Sequence, residues 1–156
     1  MHSLVLLAWF AICATQDLRQ RQIANSLTLG GATLALAYLF WTGNTWLGAP
    51  AAQGGTALLL ALLLTLPGYT ARRLGAGDVK LLLALALASE PSTLLGTVIG
   101  AGVAMLLWFW LAPRLWPLLG LAPRANLHHL SPETLEKRPF APFLLIGLLC
   151  MSISIL

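Results

Sequence analysis

The chain has 156 residues, of which 58% are hydrophobic and only 9% are charged, and its formal net charge is +4. Soluble domains carry about 25% charged residues, and a fold of this size leaves much of its surface exposed, so this composition excludes an ordinary soluble domain. The two cysteines form no C-x-x-C pair, which excludes a zinc ribbon and a disulfide framework. We therefore predict an all-α integral membrane protein that forms a single domain over residues 1–156.

Charged residues and turn residues divide the chain into six apolar segments, each of which we interpret as a transmembrane helix. About 20 apolar residues cross a bilayer. The predicted spans are Met1–Gln16, Ser26–Trp41, Ala51–Tyr69, Ala76–Ser89, Thr93–Leu111 and Phe140 to the C-terminus, with a polar loop at about 113–138. The first span lacks the basic start and the small-residue cleavage site of a signal peptide, so we expect it to be retained.

All nine basic residues fall in the three loops that six spans place on one side of the membrane. They are Arg19, Arg21, Arg72, Arg73, Lys80, Arg114, Arg124, Lys137 and Arg138. The positive-inside rule makes this side cytoplasmic, and both termini are then external. The positive charge is explained by topology, so no nucleic-acid partner is expected.

Two aspartates, Asp17 and Asp78, lie at the predicted cytoplasmic ends of spans one and four. A purely structural interpretation makes Asp17 a solvated charge and Asp78 a helix cap. Only nine residues separate Lys80 from Glu90, however, and they form about 14 Å of helix. Either Asp78 or Glu90 must therefore lie below the headgroups, where a carboxylate costs roughly 2–3 kcal/mol and indicates a function.

Packing of spans one and four would bring the two carboxylates together, and one of them would then keep a proton. The ionised carboxylate can take a proton from a water that attacks a peptide carbonyl, while the protonated one donates to the carbonyl oxygen. This hydrolysis needs neither a metal nor a cofactor. Gly75 and Gly77 precede Asp78, and without a Cβ they would let the backbone of an extended substrate approach.

Three segments resemble the type IV prepilin peptidases, which are G-x-G-D aspartyl proteases. Gly75-Ala76-Gly77-Asp78-Val79-Lys80 is similar to the family's G-x-G-D-x-K segment, residues 17–25 to its first aspartate motif, and residues 138–143 to its Pro-Phe-Gly-Pro stretch. The resemblance implies a catalytic pair and a set of supporting or substrate-binding residues. The pair is Asp17 and Asp78, and the supporting set is Gly75, Gly77, Lys80 and Asn25.

The resemblance also implies a function. Such an enzyme is a multi-pass endopeptidase of the bacterial inner membrane that removes the basic leader of prepilins or pseudopilins, after a glycine at the cytoplasmic face, for type IV pili or type II secretion. Its expected partners are these precursors and membrane lipid. Many relatives carry two C-x-x-C pairs associated with N-methylation, and their absence predicts a protease without methyltransferase activity.

This sequence departs from the family pattern at two positions. Ala24 replaces a usual proline, so we expect a less rigid turn into span two, and Ala141 replaces a usual glycine. Two other functions stay open from the residues alone. One is a proton- or cation-coupled transporter with the aspartates as ion sites, and the other is a non-catalytic subunit of a pilus or secretion assembly.

Other features favour structural interpretations. We interpret His128 and His129 as part of a solvated loop rather than a metal site, and Ser131 as the cap of a short helix. The aromatic residues from Trp108 to Trp116 are typical of an interfacial belt. Gly96-x-x-x-Gly100 favours close helix packing, either within the chain or between copies, and the oligomeric state is not determined by the sequence.

Overall fold

The computed structural model describes residues 2–20, 22–72, 74–115 and 139–154, and these ranges contain six α-helices. The helices are α1 (His2–Gln20), α2 (Asn25–Thr42), α3 (Ala51–Thr70), α4 (Ala76–Ala88), α5 (Pro91–Leu115) and α6 (Ala141–Ser154). The predicted all-α fold is confirmed for this part of the chain, and each helix overlaps one predicted span. Trp116, the histidine pair and the helix expected at Ser131 lie outside the described residues.

Several helices extend past the apolar runs that identified them. The first helix continues through Asp17 to Gln20, and α5 continues to Leu115. Hydropathy reports which residues suit lipid, whereas backbone hydrogen bonding decides where a helix ends, so the two boundaries differ. The end of α2 was predicted correctly to within a residue. The helix stops there because Gly43 adopts a left-handed φ of 71° and donates its N–H to the carbonyl of Leu39.

The short fourth helix lies in the core. It has 13 residues, about 20 Å of helix, and most of its side chains from Leu81 to Ala88 are buried. It packs mainly against α2 and α3. Within the described residues, α3 and α5 are the two helices that are long and apolar enough to cross a membrane. That all six helices cross the membrane stays a prediction.

Glycines allow α5 and α6 to approach closely. A Cβ on Gly100 would lie 2.8 Å from the Cα of Gly147, and a Cβ on Gly147 would overlap the carbonyl oxygen of Thr97. Gly96 of α5 faces the side chain of Met151, which lies on α6 with Gly147. The Gly96-x-x-x-Gly100 pattern is therefore used within the chain, which was one of the two predicted alternatives.

The first helix is an integral part of this bundle, with Leu6, Phe10 and Cys13 buried. Its main partner is α6, whereas α4 packs mainly on α2 and α3. Packing of spans one and four was expected to bring the two carboxylates together, but neither helix is a main packing partner of the other. The ends of these helices instead lie close together, because only four residues separate α1 from α2 and α4 packs on α2.

Candidate active site

A polar cavity of about 510 Å³ lies where the C-terminal end of α1 meets the N-terminal ends of α2 and α4. All the site residues predicted from the sequence line it, namely Asp17, Asn25, Gly75, Gly77, Asp78 and Lys80. The other lining residues are Gln16, Gln20, Gln22, Ile23, Ala24 and Ala76. The fold thus brings the two aspartate segments to one place, although α1 and α4 have different main packing partners.

Asp17 lies in the last turn of α1 and is only 6% exposed. Its Oδ2 accepts a hydrogen bond of 3.1 Å from the backbone N–H of Ala141, the first residue of α6. The first N–H groups of a helix have no acceptor within the helix, so a carboxylate there satisfies a donor that would otherwise be unpaired. The interpretation of Asp17 as a solvated charge is therefore wrong.

The same hydrogen bond gives a structural role to the third motif. Phe140 directly precedes α6, and its carbonyl accepts the first helical hydrogen bonds from the N–H groups of Phe143 and Leu144. The N–H of Ala141 is then left to point at Asp17. The Pro139-Phe140-Ala141-Pro142 segment thus starts a helix whose N-terminus holds the first aspartate, a contact that sequence reasoning missed.

Asp78 lies in the first turn of α4 and is partly buried. The N-cap of this helix is Gly75, not Asp78, so the predicted cap role is wrong. Gly75 has an ordinary φ of −74°, but a Cβ on it would lie 3.1 Å from Oδ2 of Asp78. A Cβ on Gly77 would make an ordinary contact of 3.7 Å with Ile23. Glycine at position 75 therefore leaves room for the carboxylate.

A direct hydrogen bond links the two aspartate motifs across the cavity. The Nζ of Lys80 donates to Oδ1 of Asn25 at 2.8 Å. Asn25 begins α2, and Lys80 lies one turn into α4. These two supporting residues therefore join the helix ends that carry the site.

A second hydrogen bond shapes the connection from α1 to α2. Oε1 of Gln16 accepts a hydrogen bond of 2.9 Å from the backbone N–H of Ala24. Ala24 has φ −57° and ψ 135°, a conformation that proline also adopts. The turn expected to be less rigid is thus held by a hydrogen bond that proline, which has no N–H, could not make. In the sequence, the only indication of this bond is that position 24 is alanine and not proline, which leaves a backbone N–H that needs an acceptor.

The arrangement is suited to acid–base chemistry on a peptide bond. Two carboxylates line one cavity of about 510 Å³, and such a pair can divide the roles of general base and general acid. Among the described residues, no group of three His, Cys, Asp or Glu side chains is placed to hold a metal ion.

The sequence is similar to one family of known proteins. The sequence model described as the type IV leader peptidase family matches residues 4–110, well over half of the chain. The matched range includes both aspartates and the four supporting residues, while the Pro-Phe-Ala-Pro segment lies beyond it. Neither the curated proteins nor the solved structures contain a match to the chain. The family match covers the residues that line the polar cavity, and the chain belongs to the type IV leader peptidase family.

Proposed function

We propose that this protein is a membrane aspartic endopeptidase that removes the basic leader from prepilin or pseudopilin precursors. Family membership makes it a peptidase, of the aspartic type in this family. The observation that carries the finer proposal is that Asp17 and Asp78 line the same polar cavity. The proposed activity is proteolysis alone, because the chain has no C-x-x-C pair for the methylation associated with some relatives.

In the proposed mechanism, one aspartate is ionised and accepts a proton from the attacking water. The other is protonated and donates to the oxygen of the scissile carbonyl, so that a tetrahedral intermediate forms without a metal. The N–H of Ala141 fixes one oxygen of Asp17, and the glycine at position 75 leaves room for Asp78.

The proposed cleavage follows a glycine at the cytoplasmic face of the bacterial inner membrane. Basic loops predict that the cavity end of the bundle is cytoplasmic, and the cavity lies at the start of α2 and α4, as that topology requires. The substrate is a precursor with a basic leader followed by an apolar helix. Membrane lipid surrounds the bundle, which fits the many exposed leucines of α2, α3 and α5.

The decisive experiment is co-expression with a candidate prepilin and measurement of leader removal by mass spectrometry. We expect Asp17→Asn and Asp78→Asn each to reduce cleavage by about 10²–10⁴-fold, because each removes a proton-transfer group. Glu90→Gln is the matched control. Its carboxylate accepts a hydrogen bond from Ser92 and does not line the cavity, so cleavage should persist.

Each alternative outcome has a distinct meaning. Full processing by either asparagine variant would refute the aspartate mechanism. Altered ion flux in place of lost proteolysis would identify a transporter. Loss of activity in a chelator, restored by zinc, would identify a metal enzyme.

A further inference from the structure

An apolar groove of about 320 Å³ lies between α1 and α2, with α4 as its third wall. Its lining includes Trp9 from α1, Gly30, Leu34 and Ala35 from α2, and Ala84 and Ala88 from α4. Most of these side chains are small or apolar, so the groove suits the packed face of a hydrophobic helix.

The groove and the polar cavity are lined by the same three helices, and their linings adjoin on α2 and α4. On α2 the cavity lining ends at Asn25 and the groove lining begins at Ser26. On α4 the cavity uses the first turn through Lys80, and the groove uses Ala84, one turn later. On α2 and α4 the lining therefore changes from polar beside the aspartates to apolar beyond them.

The other end of the groove is marked by Trp46, in the connection after α2. Its Nε1 donates to the carbonyl of His2 at 3.0 Å, and Nδ1 of His2 lies 2.8 Å from the carbonyl of Trp46. This pair ties the start of α1 to the connection beyond α2. The walls are thus tied together at this end while the middle of the groove stays open.

Two adjacent glycines show which part of the groove is open. A Cβ on Gly31 would overlap the ring of Trp9, so that position is already filled. A Cβ on Gly30 would meet nothing within 4 Å. Gly30 therefore lies beside space that another molecule can occupy.

We propose that this groove binds the apolar helical segment that follows the cleavage site of the substrate. The proposal rests on the proposed function, since a precursor cut beside the aspartates must continue as an apolar chain. The groove begins where the cavity ends and matches that change from polar to apolar. Small residues on two walls let a helix approach closely, and the open space at Gly30 receives its side chains.

The test fills the groove and compares two substrates. Gly30→Leu places a side chain in the open space of the groove. Gly102→Leu is the control, because a Cβ there also meets nothing within 4 Å but α5 does not line the groove. We expect Gly30→Leu to lower cleavage of a full-length precursor about tenfold, a change of about 1.4 kcal/mol. Cleavage of a soluble peptide that ends shortly after the scissile bond should stay within about twofold, and Gly102→Leu should change neither.

A cross-linking measurement decides the occupant independently of cleavage. A photoreactive residue at position 34, placed in the Asp78→Asn background, should attach to the apolar segment of the precursor. Attachment to lipid alone, attachment to a second copy alone, or equal cleavage of the precursor by Gly30→Leu and the unsubstituted protein would each overturn the proposal. If the unsubstituted protein cuts neither substrate, the proposed function fails, while the cross-link still decides the groove.

Discussion

The two aspartates have different surroundings, although the sequence presents them in similar positions. Asp17 is buried against the N-terminus of α6 and accepts a backbone hydrogen bond there. Asp78 is partly buried and lies over Gly75. The sequence identified both residues because acids are rare in an apolar chain. The sequence could not identify their neighbours. Asp17 contacts the start of a helix that is distant in the chain, and Asp78 occupies space that is free because Gly75 has no side chain.

Gly75 and Gly77 should differ in their tolerance of alanine. The added methyl of Gly75→Ala would lie 3.1 Å from Oδ2 of Asp78, so the carboxylate must shift by a few tenths of an ångström. We expect a loss of about tenfold in kcat, since catalysis depends steeply on the position of reacting groups.

Gly77→Ala is the matched control, because its methyl would lie at an ordinary 3.7 Å from Ile23. Its kcat should stay within about twofold of the unsubstituted protein. Rates of precursor cleavage by the two purified variants test this, and equal losses would show that the crowding at Asp78 is not the cause.

In the connection between α1 and α2, the backbone N–H of Ala24 donates a hydrogen bond to Oε1 of Gln16. We expect Gln16→Leu to lower cleavage about fivefold, because a neutral hydrogen bond contributes about 1 kcal/mol. Ala24→Pro should restore activity in the Gln16→Leu background, because the backbone at position 24 already has proline-like angles and the ring would replace the lost restraint.

Cleavage rates of the single and double variants form a double-mutant cycle. Additive losses would show that Gln16 does not act through residue 24. Gln16→Glu, which keeps an acceptor oxygen, should retain more activity than Gln16→Leu.

The contact between α5 and α6 has no space for a side chain at Gly147. A methyl there would overlap the carbonyl of Thr97, so Gly147→Ala should destabilise the protein by about 1–3 kcal/mol. Gly102→Ala, on the open face of α5, should be neutral or stabilise it by up to about 1 kcal/mol, because alanine favours helix.

Thermal unfolding in detergent compares these two alanine variants. Similar unfolding temperatures for both would contradict the close packing. Because α6 begins at the N–H that contacts Asp17, Gly147→Ala should also lower cleavage more than Gly102→Ala does.

At the scale of the whole molecule, helix ends far apart in the chain meet at one end of the bundle. The polar cavity joins the end of α1 to the starts of α2 and α4, and the start of α6 contacts Asp17. This arrangement agrees with the alternating topology predicted from the basic loops. The number of membrane crossings is still a prediction.

Cysteine labelling tests that topology in a Cys150→Ser background, because Cys150 is exposed and Cys13 is buried. An impermeant maleimide added to intact cells should label Asn44→Cys, in the exposed turn after α2, but not Ala71→Cys, exposed at the end of α3. Permeabilised cells should label both. The reverse pattern would invert the orientation and put the cavity on the outer face.

The sequence by itself determined the all-α class, the approximate helices, the two aspartates and the family, because each follows from local composition, spacing or a short motif. Only the tertiary structure decided that α1 packs on α6, that Ala141 holds Asp17, that Gln16 holds Ala24, and that an apolar groove is lined by the same three helices as the cavity. The two hydrogen bonds use backbone N–H groups as donors, and the groove is a space between helices. Every residue except proline carries the same backbone N–H donor, so the sequence does not show which N–H will face a carboxylate.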